Sequence, residues 1–139
     1  MQLSEDDAGQ RLALAAAGHL ATADRDGTPH LVPAVFATEG DELYIAVDHK
    51  PKRSTDLRRL RNIKQNHRVA FLVDRYDADW SRLWWVRVDG TARVIEDEAA
   101  IRAPIELLAA KYPQYRADPP DGPIIAITIG RIAGWSGEG

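Results

Sequence analysis

The chain has 139 residues, 45% of them hydrophobic, with 18 Lys and Arg against 21 Asp and Glu for a formal net charge of −3, and it contains no cysteine. That length supports one domain, 1–139, with a real core, and the missing cysteines exclude a disulfide framework, a thiolate metal site and a cysteine nucleophile. The acidic balance argues against a dedicated nucleic-acid binder, the apolar runs fall far short of the ~20 residues of a membrane-spanning helix, and the acidic start Met1-Gln-Leu-Ser-Glu-Asp-Asp7 lacks the basic and apolar regions of a signal peptide, so a cytoplasmic protein is expected.

Ser4 with Asp7 resembles a capping box, and the alanine-rich stretch after it predicts a helix over residues 5–17 closed by Gly18. His19 to Asp24 reads as a short strand and Asp24-Arg-Asp-Gly27 as a hairpin turn. Pro29 to Thr38 is the next strand, with Pro33 marking an edge, a bulge or a place where something else meets the backbone. Glu39-Gly-Asp41 turns the chain, and Glu42 to Asp48 alternates as a third strand. Ser54 to Gln65 is predicted as a helix with Ser54 as N-cap, because Leu57, Leu60 and Ile63 share one face. Arg68 to Arg75 and Leu83 to Val94 read as strands flanking a loop, the second bending at Gly90, and Asp97 to Tyr112 as a long helix. The acidic, proline-rich stretch Pro113 to Pro123 reads as a mobile loop, and Ile124 to Ile132 closes the chain as a strand. Six antiparallel strands with interspersed helices predict a small β-barrel with peripheral helices, an α+β architecture.

The residues that carry chemistry concentrate around Lys50-Pro-Lys-Arg-Ser-Thr-Asp-Leu-Arg-Arg-Leu-Arg61. Lys50, Lys52, Arg53, Arg58, Arg59 and Arg61, with Lys64 just beyond, are seven of the 18 basic residues, placed where a strand hands over to a helix. A local basic cluster in an acidic protein points to an anion, and helix starts favour phosphates. The reading is a phosphate clamp of Lys52, Arg53 and the helix start at Ser54, assisted by Lys50 and by Arg58 or Arg59; the alternative is a solvated helix face. Trp80, Trp84 and Trp85 fall within six residues. Trp84 and Trp85 adjoin in a predicted strand and so face opposite sides, one to the core and the other to an interface, a ligand or water. His19, His30, His49 and His67 lack metal-ligand spacing, although His30 lies near Pro33 on a strand that could line a pocket. No serine lies in a GxSxG elbow, and no self-sufficient acid–base group stands out, so a cofactor is expected to carry any chemistry.

Leu20-Ala-Thr-Ala-Asp-Arg-Asp-Gly-Thr-Pro-His-Leu-Val-Pro33, Asp48-His-Lys-Pro-Lys-Arg53, His67-Arg-Val-Ala-Phe-Leu-Val-Asp74 and Asp79-Trp-Ser-Arg-Leu-Trp-Trp-Val-Arg-Val-Asp-Gly-Thr-Ala-Arg93 together resemble the pyridoxamine 5′-phosphate oxidase-like split β-barrel family over roughly residues 5–136. Within it they look most like the actinobacterial branch that uses the deazaflavin coenzyme F-420. The resemblance implies a six-stranded FMN-binding-type split barrel. It also implies a homodimer with cofactor sites at the subunit interface. Lys52 and Arg53 would hold the cofactor phosphate, helped by Lys50 and Arg59. The strand around His30 and Pro33 would line the ring, and Trp80 would contact it. The implied activity is hydride transfer between the deazaflavin and a conjugated small-molecule acceptor; no catalytic side chain is assigned. The alternatives are an FMN-dependent oxidoreductase and a non-enzymatic cofactor- or haem-binding member. The phosphodiester and acidic tail of F-420 suit a spread cluster of five or six cations better than the single phosphate of FMN.

Overall fold

In the computed structural model, which describes residues 1–47 and 57–138, seven antiparallel strands form one sheet. In chain order the elements are α1 (Glu5–Leu14), β1 (Gly18–Ala23), β2 (Pro29–Ala34), β3 (Ala37–Glu39), β4 (Glu42–Ala46), α2 (Arg58–Gln65), β5 (Arg68–Arg75), a 3-10 turn (Trp80–Arg82), β6 (Trp84–Ile95), α3 (Arg102–Lys111), α4 (Pro113–Ala117) and β7 (Ile124–Ser136). The strand order is β2-β1-β5-β6-β7-β4-β3.

That order forces the sheet to curl. Its two edge strands, β2 and β3, are joined only by Val35 and Phe36. A flat sheet of seven strands would hold its edges about 29 Å apart. Three Cα–Cα steps reach at most about 11 Å. The sheet therefore closes into a barrel that is split along the β2–β3 seam. The barrel class expected from the sequence is the one observed, with seven strands where six were expected. The extra strand arises because the predicted Pro29–Thr38 strand breaks in two. Pro33 offers no N–H, and Phe36 turns its ring into the core, fully buried and edge-on to Phe71 at 4.8 Å between centroids.

The barrel interior holds Leu20, Leu43, Ile45, Val73, Val86, Ile125 and Ile127, and α1 and α2 close it with Leu12, Leu60 and Ile63. A second cluster, under α3, joins Leu108 and Ile101 to Ile124, Ala37 and Ala46. The hairpin turns fall where glycine was expected to allow them, with φ of 85° at Gly27 and 60° at Gly40. The ladder between β6 and β7 shifts register at Asp89/Gly90, the bend expected there.

Other boundaries move. The first helix stops at Leu14, because Ala15 turns extended and packs on the core; Gly18 opens β1 instead of closing the helix. A Cβ on Gly18 would lie 2.5 Å from Cε2 of Phe71 and 2.7 Å from the Leu72 carbonyl, so its role is close packing. The helix predicted from Ser54 starts at Arg58, and its N-cap is the extended Leu57, whose side chain packs on the core; the expected cap, Ser54, lies outside the described residues. The stretch expected as a mobile loop begins with α4, set by Pro113 at its first turn and by Arg116 donating to the carbonyls of Ala109 and Ala110 at 3.0 and 3.1 Å. The 3-10 turn lies where a loop was expected, and β7 runs on to Ser136, which pairs with Trp84 of β6.

Candidate functional site

The two faces of β1 and β2 have different characters. In β2, Pro29, Leu31 and Pro33 are exposed, whereas His30, Val32 and Ala34 are half-buried, the last two packed on the core. His30 is opposite Thr22, which is buried and accepts a hydrogen bond from Asn62 Nδ2 of α2 at 3.0 Å. His30 thus lies on the α2 side of the strand. Pro33 lies on the other side, opposite the exposed His19. The structure does not bring these two residues to one face. β2 pairs only with β1 among the described strands, so its outer backbone edge is open.

On α2 the two candidate arginines differ. Arg58 lies 4.0 Å from the Asp24 carboxylate. That carboxylate is held below its ordinary range first by the backbone N–H of Thr28, then by that of Asp26 and the Arg58 charge. Arg59 is half-buried and makes no ion pair or hydrogen bond through its side chain among the described residues; burial lowers its pKa. A half-buried guanidinium with no anion among the described residues is the group here that most needs one. Lys50, Lys52, Arg53 and Ser54 lie outside the described residues.

The outer face of the sheet carries a cavity of about 620 Å³. Register builds its walls. One row across the strands reads Pro33, His19, Leu72, Arg87, and the next Leu31, Ala21, Ala70, Asp89; beyond them Asp74 opposes Trp85. His19, Leu31, Leu72, Trp85 and Arg87 line the cavity, and Asp74, Tyr76 and Trp84 close one end. The Arg87 guanidinium sits 5.7 Å from the Trp85 ring centre, with Nε 3.5 Å from Asp89. Trp84 also packs on the core, under the Arg11 guanidinium at 5.3 Å.

Trp80 stands apart. Its side chain is 74% exposed and does not line the cavity. The turn presenting it is held firmly: Asp79 accepts from Ser81 N at 3.1 Å and Ser81 Oγ at 2.7 Å, and Asp77 accepts from Asp79 N at 2.9 Å while facing Arg75 and Arg82 at 3.6 and 3.8 Å. The cavity residues His19, Asp74, Tyr76 and Arg87 escaped the sequence reading, because their grouping depends on the register of β1, β5 and β6. The alternation of His19 and Ala21 with buried Leu20 and Thr22 was the one available signal.

These donors fit a phosphorylated ring cofactor in kind. The first turn of α2 carries two arginines and no acid, and the neighbouring cavity is mostly apolar and aromatic.

The fold is that of a small split antiparallel barrel with its edges joined at a short seam. The chain belongs to the pyridoxamine 5′-phosphate oxidase family, whose model matches residues 5–136. Solved structures share the fold at low identity. The conserved protein Rv2991 of Mycobacterium tuberculosis is 22% identical with a TM-score of 0.78, covering 97% of this chain and 86% of its own. An FAD-binding protein of Mesorhizobium loti is 21% identical with a TM-score of 0.74, covering 96% and 95%. The haem storage protein HutZ of Vibrio cholerae is 15% identical with a TM-score of 0.72, covering 95% and 93%. No curated protein matches the chain.

Proposed function

We propose that the protein is an oxidoreductase that binds a phosphorylated flavin-type cofactor, specifically the deazaflavin coenzyme F-420, and passes a hydride to a conjugated small-molecule acceptor. The observation that carries this reading is Arg59: a half-buried cation with no anion among the described residues, in the first turn of the helix that follows Lys50, Lys52 and Arg53 in sequence. The flavin-binding relative and the family support a ring cofactor. The number of cations favours a ligand with several negative charges over FMN.

Arg59, with Lys50, Lys52, Arg53 and Ser54, would neutralise the phosphate and the acidic tail. The open edge of β2 would meet the ring, with His30 on its α2 side and Pro33 on its cavity side. Trp80, held on its stiff turn, would supply a stacking face. A bound deazaflavin supplies a hydride; the chain's own part is to hold donor and acceptor together and to keep water out. The cavity on the outer sheet face is open, and a second copy of the chain packed against it would close it. The proposal therefore includes a homodimer with its sites at the interface.

The test is a fluorescence titration with F-420 and FMN in parallel, on the native chain, on Arg59→Ala and on Lys52→Ala/Arg53→Ala. A hydrogen bond to a charged group contributes about 1.5–3 kcal/mol, so Arg59→Ala should weaken F-420 at least about tenfold and the double variant more. Tighter binding of FMN than of F-420 would make this a flavin-dependent member. Binding of neither, with haem bound instead, would overturn the reading.

A further inference from the structure

One end of the outer cavity combines a carboxylate with an aromatic wall. Asp74 opposes Trp85 across the β5–β6 ladder, and Trp84 and Tyr76 line the same end. The Asp74 side chain makes no ion pair or hydrogen bond among the described residues. Arg87, the other charged residue of the lining, is engaged by Asp89, which lies outside the cavity, at 3.5 Å. His19 is the remaining titratable group apart from Tyr76. Among the described residues Asp74 is thus a lining carboxylate without a counter-charge, beside indole and phenol rings, and about 620 Å³ is room for a molecule of two or three fused rings. Anions are disfavoured there by Asp74. A neutral ring would gain stacking alone. A planar cation would gain both the attraction of the aromatic faces and the pairing with Asp74.

We infer that this cavity is a binding site for a planar organic cation, a quaternised or protonated nitrogen heteroaromatic, with its charge at Asp74 and its ring against Trp85 and Tyr76. None of the side chains assigned to the cofactor lines the site, but it lies on the face that the proposed homodimer would cover, so the inference rests on that reading in needing the cavity to stay accessible.

The experiment is calorimetric titration of the cofactor-free chain at pH 7.5 with three ring-matched probes: N-methylquinolinium, neutral quinoline and anionic 1-naphthoate. N-methylquinolinium should bind about tenfold tighter than quinoline, with naphthoate weakest. Asp74→Asn should erase the preference for the cation while leaving quinoline unchanged, and Trp85→Leu should weaken every probe that binds. Equal binding of naphthoate and the quinolinium, an undiminished preference in Asp74→Asn, or no binding of any probe would each overturn the inference. The F-420 titration on Asp74→Asn keeps the two claims apart, because losing cation binding there should leave cofactor affinity as in the native chain.

Discussion

Lys111 shows how a distant partner reshapes one residue. At the end of α3 its Nζ donates to the Phe36 carbonyl at 2.9 Å and lies 3.9 Å from the Phe36 ring centre. Burial lowers its pKa from 10.5 to about 8. Between those values the unfolded chain holds a proton that the folded chain has released. The contribution to stability is therefore fully present above the unfolded value of 10.5 and is lost as pH falls through about 8. Tyr112 moves the other way, its pKa raised by burial, so the clean window lies below its ordinary value of 10.0. Urea unfolding between pH 7.5 and about 9.5 should show the native chain gaining stability on Lys111→Met as pH rises. Parallel curves for the two proteins would show that Lys111 stays charged. Nothing local marks this residue in the sequence, because the burying groups come from Phe36, far away in the chain. Pro33, by contrast, was legible from its own chemistry: a residue without an N–H belongs at a sheet edge, and β2 is one.

At the scale of elements, the seam between β2 and β3 replaces strand pairing with side-chain bonds. The Phe36 N–H donates to Tyr112 Oη at 3.1 Å, and that hydroxyl lies 2.8 Å from the Ala16 carbonyl and 2.9 Å from that of Phe36. Because Lys111 already serves the Phe36 carbonyl, the Tyr112 proton is free for Ala16. One phenol therefore ties the α1–β1 link, the seam and the end of α3. Tyr112→Phe would leave the Phe36 N–H without its acceptor, and urea unfolding should register a loss of about 1–3 kcal/mol. A loss under about 0.5 kcal/mol would mean that the seam closes without it. Long strands with clean alternation, β4, β5 and β6, were readable from period alone. The β2–β3 break, the 3-10 turn and α4 were not, because each is decided by contacts between elements: the Phe36 ring against Phe71, Asp77 between two arginines, and Arg116 on the last carbonyls of α3. The basic cluster and the tryptophans were legible as composition, but the cavity was not, since it exists only once three strands are in register.

At the scale of the molecule, the outer sheet face exposes Leu31 at 66%, Tyr76 at 76% and Trp135 at 39% around the cavity. Apolar exposure of this kind on one face fits a partner surface, and the proposed homodimer can be tested there. Sedimentation should give twice the monomer mass for the native chain and a shift toward monomer for Leu31→Glu, with the circular dichroism unchanged; a native chain that stays monomeric at tens of micromolar would remove the dimer from the reading. The strand order has one more consequence, for synthesis. Among the described strands β4 is bonded only to β3 and to β7, and β7, thirteen residues long, is what stands between β4 and β6. While the chain is still emerging from the ribosome, β1, β2, β5 and β6 can pair, but the β3–β4 hairpin has nothing to dock on. The barrel is thus completed only after β7 has been made, and a nascent chain stalled before Ile124 would display two unsatisfied sheet edges to the chaperones around it.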